Sequence, residues 1–459
     1  MLRFVTARRL LVAALVALTP LITSPVTASA AVATNTGTFA DGAKWLIEVP
    51  DQWNGTLLLY SHGYVTPGSP NPARDVGDPL TRAYLLAHGY ALAGSSYATT
   101  GWALQQAFKD QIDTLDTFQS FHGRPSRTIA WGHSLGGIIT AGLLQRNPER
   151  FTAALPMCGV LAGGIGVWNV GLDAEFAIKE LLAPASPLQL VRITNPAANL
   201  DLAKSILNSA QATPQGKARI ALAAALSDLP GWFSSTSTEP SPTDFATQEL
   251  NQFLWTFFVD GPFSFALRAE LESRASGNPS WNTGVNYAKQ LDMSVDKAEV
   301  QGLYQEAGLN LDADLATLAG APRISADPGA VEYLRQFISF NGDLGGKPVL
   351  TLHTTGDGLV LNEDEQAYRS VVQDAKDSQL LRQTFVHRAG HCTFTPAETI
   401  AALKALETRI NTGKWRDLTD PDHLNAVAAG LGPALNIAAA SYLDFEPAPF
   451  LRPSDLGTH

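Results

Sequence analysis

The sequence predicts an α/β chain: a mostly parallel sheet with helices on both faces, interrupted by one large helical insertion. Three observations predict it. Up to about residue 162, short apolar runs rich in β-branched and aromatic residues alternate with helical patterns. From about Gly163 to Gly346 the pattern is almost wholly helical. At Lys347 the strand–helix alternation resumes. A β-α-β order of this kind pairs its strands in parallel and buries them between helices.

The elements follow in order. Lys44–Val49 and Thr56–Tyr60 read as strands around a turn at Asp51-Gln52-Trp53-Asn54-Gly55. Asp78–His88 reads as a helix and Tyr90–Gly94 as a strand. Trp102–Phe121 carries Ala107, Phe108, Ile112, Leu115 and Phe118 at helical spacing. Thr128–Trp131 is a short buried strand, Gly136–Arg146 a helix stopped by Asn147-Pro148, and Thr152–Met157 a strand. The insertion offers helices at Ala203–Leu207, Ala218–Leu226, Phe245–Phe258, Phe263–Arg274 and Ala330–Phe340, with a Ser/Thr/Pro-rich loop at Ser234–Pro242. After Lys347 come a strand Pro348–His353, a helix Asp364–Lys376, a strand Leu381–His387 and a helix Pro396–Ile410. The tail beyond Trp415 is Ala-rich. The expected division is a leader at residues 1–30, a core of 31–162 and 347–459, and a helical cap or lid at 163–346.

Composition bounds the function. The chain has 459 residues, 45% of them hydrophobic and 16% charged, which is globular. A net charge of −11 repels phosphate backbones, so nucleic acid is excluded as a partner. Arg3, Arg8 and Arg9 precede an apolar run, Leu10–Leu18, and Ala28-Ser29-Ala30 fits a cleavage site. The run is shorter than the ~20 residues needed to cross a bilayer. The expectation is a secreted protein, cleaved near Ala30 and not inserted in a membrane. Two cysteines cannot build a cysteine-rich zinc site, and no metal-binding or phosphate-cradling motif occurs. No cofactor or metal is expected.

The chemistry centres on Gly132-His133-Ser134-Leu135-Gly136, followed by Gly137. It stands between the apolar Ile129-Ala130-Trp131 and a helix, as a nucleophile elbow requires. A serine hydroxyl needs a base to remove its proton. The strand at Val349–His353 runs on to Gly356-Asp357-Gly358, making Asp357 the candidate acid; a plain Asp-Gly turn is the alternative. Glu363 and Asp364 instead open the next helix. His391, after Gly390 in a loop, is the candidate base; His387 is its rival but continues the strand. The backbone N–H groups of Leu135 and of Tyr64, in His62-Gly63-Tyr64, are the expected oxyanion donors, with His62 bonding loop carbonyls. The order Ser134, Asp357, His391 is that of one fold among those carrying such triads.

On these motifs the chain resembles the α/β-hydrolases of the esterase and lipase type, over roughly residues 40–162 and 347–412. The Gly-Gly-Gly run of some esterases is absent. The resemblance implies a lid after the sixth core strand and a serine hydrolase cleaving carboxylic esters, with a small or medium apolar ester as substrate. A peptidase or amidase of the same fold is the alternative; Glu175, Glu249 or Glu270 would then anchor an amine. A non-catalytic binding protein on this scaffold is a third reading. Cys158 and Cys392 end two core strands, and a disulfide between them would fix the histidine loop; two buried thiols are the alternative. Trp232, Phe233, Phe253, Trp255, Phe257, Phe258, Phe263, Phe265 and Trp281 are divided between the insertion's core and a substrate pocket in a way the sequence leaves open.

Overall fold

The computed structural model describes residues 31–452. The expected leader lies outside the described residues. Nine strands form one sheet: β1 (Val32–Thr38), β2 (Lys44–Pro50), β3 (Thr56–Ser61), β4 (Ala91–Ser95), β5 (Arg127–His133), β6 (Ala153–Met157), β7 (Val349–Gly356), β8 (Leu381–Ala389) and β9 (Tyr442–Leu443). Their order is β1-β2-β4-β3-β5-β6-β7-β8-β9. The six strands from β4 to β8 pair in parallel, and β1, β2 and β9 add antiparallel edges. Both outermost strands lie beyond the sequence expectation. β1 is half-polar and exposed, and β9 has two residues, so neither carries a clear apolar period.

The central strands are buried on both faces, and their side chains alternate between two cores. In β3, Leu57 and Leu59 join the core that holds Phe108, Phe118 and Ile138. Leu58 and Tyr60 join the opposite core with Trp131, Ile400 and Leu403. The first core is closed by α2 (Leu104–His122) and α3 (Leu135–Arg146), which follow α1 (Pro79–Ala87) in the chain. The second is closed by the helix Pro396–Thr412, which opens on a capping box of Thr395 and Glu398.

From Gly163 to Gly346 the elements are helices, beginning with α4 (Gly163–Leu182). They bury a third core of their own, with Phe176, Leu222, Phe253, Phe265 and Tyr304. The two helices expected at Phe245–Phe258 and Phe263–Arg274 are one run from Phe245 to Ala275. It is wound as π-helix over Thr256–Asp260 and Phe263–Leu267. Such π segments recur at functional sites. Among the described residues no helix is long and apolar enough to cross a membrane.

Candidate active site

β5 gives way to α3 at Ser134, whose backbone is held at φ 59° and ψ −124°. Keeping a non-glycine residue in such a conformation costs of order 1–3 kcal/mol. The surroundings enforce it. Ser134 N–H donates to Met157 O at 3.0 Å, and Gly137 N–H donates to Ser134 O at 2.8 Å. Gly136 and Gly132 let β3 pass beneath the turn: a Cβ on either would run into the Ser61 carbonyl oxygen. The turn lifts the serine clear of the sheet, at the carboxyl ends of the parallel strands, where ligands of such sheets bind.

Sheet register brings the acid and the histidine together. Gly356 of β7 lies opposite Ala389 of β8. Gly390 N–H then donates to Gly356 O at 2.9 Å, and the two chains leave the sheet side by side. Asp357 and His391 follow one and two residues later. His391 Nδ1 donates to Asp357 Oδ2 at 2.7 Å, and Leu359 and Val360 N–H groups donate to Asp357 Oδ1 at 3.0 and 3.1 Å. His391 Nε2 is the ring nitrogen turned from Asp357, and it lies 3.3 Å from Cys392 Sγ. A disulfide joins Cys158 to Cys392 with Cα atoms 5.4 Å apart. Cys158 follows Met157, the residue bonded to Ser134, and Cys392 follows His391. The bridge therefore ties the histidine loop to the strand beside the elbow. Ser134 Oγ makes no hydrogen bond among the described residues, as is common at such sites before a substrate arrives.

A second histidine stands behind the acid. His353 of β7 is fully buried. Its Nε2 donates to Val360 O at 2.9 Å and lies 3.6 Å from Asp357 Oδ2. Its Nδ1 meets Glu365 Oε1 at 3.2 Å. Glu365 also accepts from Thr351 Oγ1 at 2.6 Å and Gln383 Nε2 at 2.5 Å. These bonds fix Glu365 against the ring, and a carboxyl group so placed favours the imidazolium form of His353. Burial opposes that charge, but the bonds to Asp357 and Glu365 outweigh it and raise the His353 pKa well above 6.5. Burial also works against the Asp357 charge; His391, then His353, overcome it and hold Asp357 down to about 2.

The remaining sequence candidates fall as follows. His62 is buried, contacts Gly63 O at 2.7 Å and Ser96 O at 3.2 Å, and stacks on Tyr97. Burial pushes its pKa down to about 4, so it is a neutral loop brace. Tyr64 and Leu135 both line the cavity that holds Ser134. Leu135 is the first residue of α3, so its N–H has no partner within the helix. His387 is exposed and pairs with Glu239 Oε2 at 2.7 Å, not with Asp357. Asp364 accepts from Ala162 N at 2.9 Å, bracing the start of the helical segment. Glu249 bonds Gln211, and Glu270 pairs with Arg274 and holds Trp102 N–H.

The cavity measures about 130 Å³ and lies between the sheet and the helical segment. Its walls include Tyr64, Trp102, Trp168, Phe263 and Val360. Of the nine aromatic residues weighed from the sequence, Phe263 and Phe265 reach it. Glu175 and Asp260 also stand in the wall. Sequence reasoning missed Trp168, Asp260 and His353. Only His353 left a signal: with Thr351 it makes a polar face on an otherwise apolar buried strand.

The chain is similar to several known proteins. The prolyl oligopeptidase family matches residues 83–162, the stretch that carries the elbow. An o-phthalyl amidase from Xanthobacter agilis is 30% identical over 424 residues, covering 85% of this chain and 90% of the amidase. Among solved structures, an esterase from Aspergillus oryzae is 12% identical, covers 83% of this chain and 80% of its own, and has a TM-score of 0.44. An acylaminoacyl peptidase from Pyrococcus horikoshii is 9% identical, covers 80% of this chain and 38% of its own, and has a TM-score of 0.35. The chain belongs to the family of the amidase, and it is a serine hydrolase of the α/β-hydrolase superfamily.

Proposed function

We propose that this member of the amidase's family is an exported acyl hydrolase that cleaves carboxylic amides and esters through Ser134, His391 and Asp357. The observation that carries the reading is the elbow serine in a mainly apolar cavity, joined through the Cys158–Cys392 bridge to the loop of a histidine oriented by a buried, ionised aspartate. His391 Nε2 takes the Ser134 proton as Oγ attacks the acyl carbonyl. The Leu135 and Tyr64 N–H groups hold the developing oxyanion. His391 returns the proton to the leaving group, and water, activated by the same nitrogen, releases the acid.

The ester and amide readings are nested. Expelling an amine requires that His391 protonate the leaving nitrogen, whereas an activated phenolate leaves unaided. An enzyme able to do the first does the second. Identity to an amidase favours amide cleavage, and the name of that relative points to an aromatic acyl group. A cavity of about 130 Å³ is near the size that holds one benzene ring. The proposed substrates are therefore amides and esters of benzoyl-sized, mainly apolar acids. Export is part of the proposal, supported by the disulfide, a bond that persists in oxidising compartments.

The test pairs p-nitrophenyl esters from acetate to palmitate with benzoyl and aminoacyl p-nitroanilides, using wild type and Ser134→Ala. The expected result is turnover of both classes, best at benzoyl size, falling by several powers of ten in the variant. Turnover that survives Ser134→Ala overturns the reading.

A further inference from the structure

The cavity that holds Ser134 is mainly apolar, and its wall carries two carboxyl groups beside the hydroxyls of Ser227, Thr256 and Ser264. Glu175, on α4, places Oε1 on the Arg268 guanidinium at 2.9 Å, with Arg268 fully buried. Its other oxygen, Oε2, is buried without a partner. Asp260 ends the first π-helical segment, and its Oδ2 is buried without a partner as well. Buried carboxyl oxygens are nearly always hydrogen-bonded, since leaving one unpaired costs the full desolvation of that group. Nothing in the fold requires Asp260 here. It caps no helix start and pairs with no basic residue among the described residues.

We propose that Asp260, seconded by Glu175, is a specificity residue that receives an ammonium or N–H donor carried on the substrate's acyl group. The inference rests on the reading of Ser134 as nucleophile. Three observations set the sign of the ligand. The two free atoms are both acceptors once the carboxyls ionise. Arg268 is engaged by Glu175 Oε1 at 2.9 Å, although burial raises Glu175 to about 7 against that pairing, so the guanidinium is not free for an anion. The Asp260 carboxyl lies within electrostatic reach of Asp357, the acid of the proposed triad. Burial, then the charge of Asp357, push the Asp260 pKa well above the usual carboxylate range. The same field that discourages a negative charge on Asp260 favours a positive one beside it. The aromatic walls, Trp102, Trp168, Tyr64 and Phe263, suit a cation attached to a ring, because their faces are electron-rich. The substrate class is thus a benzoyl-sized acyl group bearing a protonated amine.

The experiment compares three p-nitrophenyl esters of similar shape: 4-(aminomethyl)benzoate, 4-ethylbenzoate and the terephthalate monoester. They carry a cation, no charge and an anion. The readout is the ratio of kcat/KM for the cation to that for the neutral ester, which divides out any general loss of activity. A charge-assisted hydrogen bond corresponds to a ratio of roughly 10 to 150 in wild type. The ratio should fall to near one in Asp260→Leu and to an intermediate value in Asp260→Asn. Inhibition of wild type by benzylamine and by benzoate needs no variant and should favour benzylamine by at least tenfold. A wild-type ratio of one or less, a preference for the terephthalate monoester or benzoate, or a ratio unchanged in both variants overturns the inference. Loss of all three activities in Ser134→Ala, with those results, would leave the nucleophile assignment standing and this one refuted.

Discussion

Replacing His353 tests whether the proposed triad depends on a charge that never touches the substrate. His353→Leu keeps much of the volume and removes both hydrogen bonds. The imidazolium lies 3.6 Å from Asp357 Oδ2 and 3.2 Å from Glu365 Oε1. At an effective dielectric of about 20, a unit pair at the first separation is worth about 4–5 kcal/mol. Removing one member of a buried pair typically costs about 3–5 kcal/mol. The two estimates agree, so urea unfolding at pH 6 should show a loss of about 3–5 kcal/mol. The pH dependence follows from the two shifts. Asp357 is held below its ordinary value, so its stabilisation is full above about 4 and fades as pH falls toward about 2. His353 is held above 6.5, so its stabilisation is full below 6.5 and fades only on the alkaline side. The gap between wild type and variant should be widest between these limits and shrink toward pH 2. In kcat/KM, the acid limb should move to higher pH, since one positive charge fewer faces the triad. His353→Gln, which keeps a donor for Val360 O, should lie between. A His353→Leu protein with an unchanged urea midpoint and an unchanged pH profile would refute the reasoning.

Two further outcomes are expected. Replacing both Cys158 and Cys392 with Ser frees a loop of 234 residues, for which chain entropy allows up to roughly 5 kcal/mol; a loss of about 2–5 kcal/mol in urea, with lowered kcat from a looser His391 loop, is the expected result, and unchanged values of both would count against the tether. Burial, aided by neighbouring carboxylates, raises Asp75 and Asp296 to about 8 and Glu299 to about 9, so the folded chain keeps protons that the unfolded chain has released; stability should therefore fall from pH 6.5 to 9 by at least ~1.4 kcal/mol, and a higher urea midpoint at pH 9 would contradict those environments.

Much of the architecture was legible because its signals are local. The parallel strands are continuous apolar runs, and the helices between them show a 3.6-residue period. The elbow is a steric rule written in adjacent residues: glycine at 132 and 136, where β3 passes too close for a side chain. The choice of His391 over His387 also rested on local context, a loop position against a strand position. In the structure His391 meets Asp357 and His387 meets Glu239. The edge strands β1 and β9 were not legible, being short or half-polar, and the continuous helix through Phe245–Ala275 was hidden by Gly261-Pro262.

By itself, then, the sequence determined the central strands of the sheet, the place of the helical segment and the serine turn. What only the tertiary structure decided is which side chains share a space. Register between β7 and β8 set Asp357 beside His391, and packing placed His353 between two carboxylates. Folding of the helical segment over the sheet put Trp168, Glu175 and Asp260 into one cavity with Ser134, across sequence separations that no local pattern records. The physical reason is that backbone preference acts over a turn or two of chain. Electrostatic environment and cavity shape depend instead on whatever the fold brings within a few ångströms.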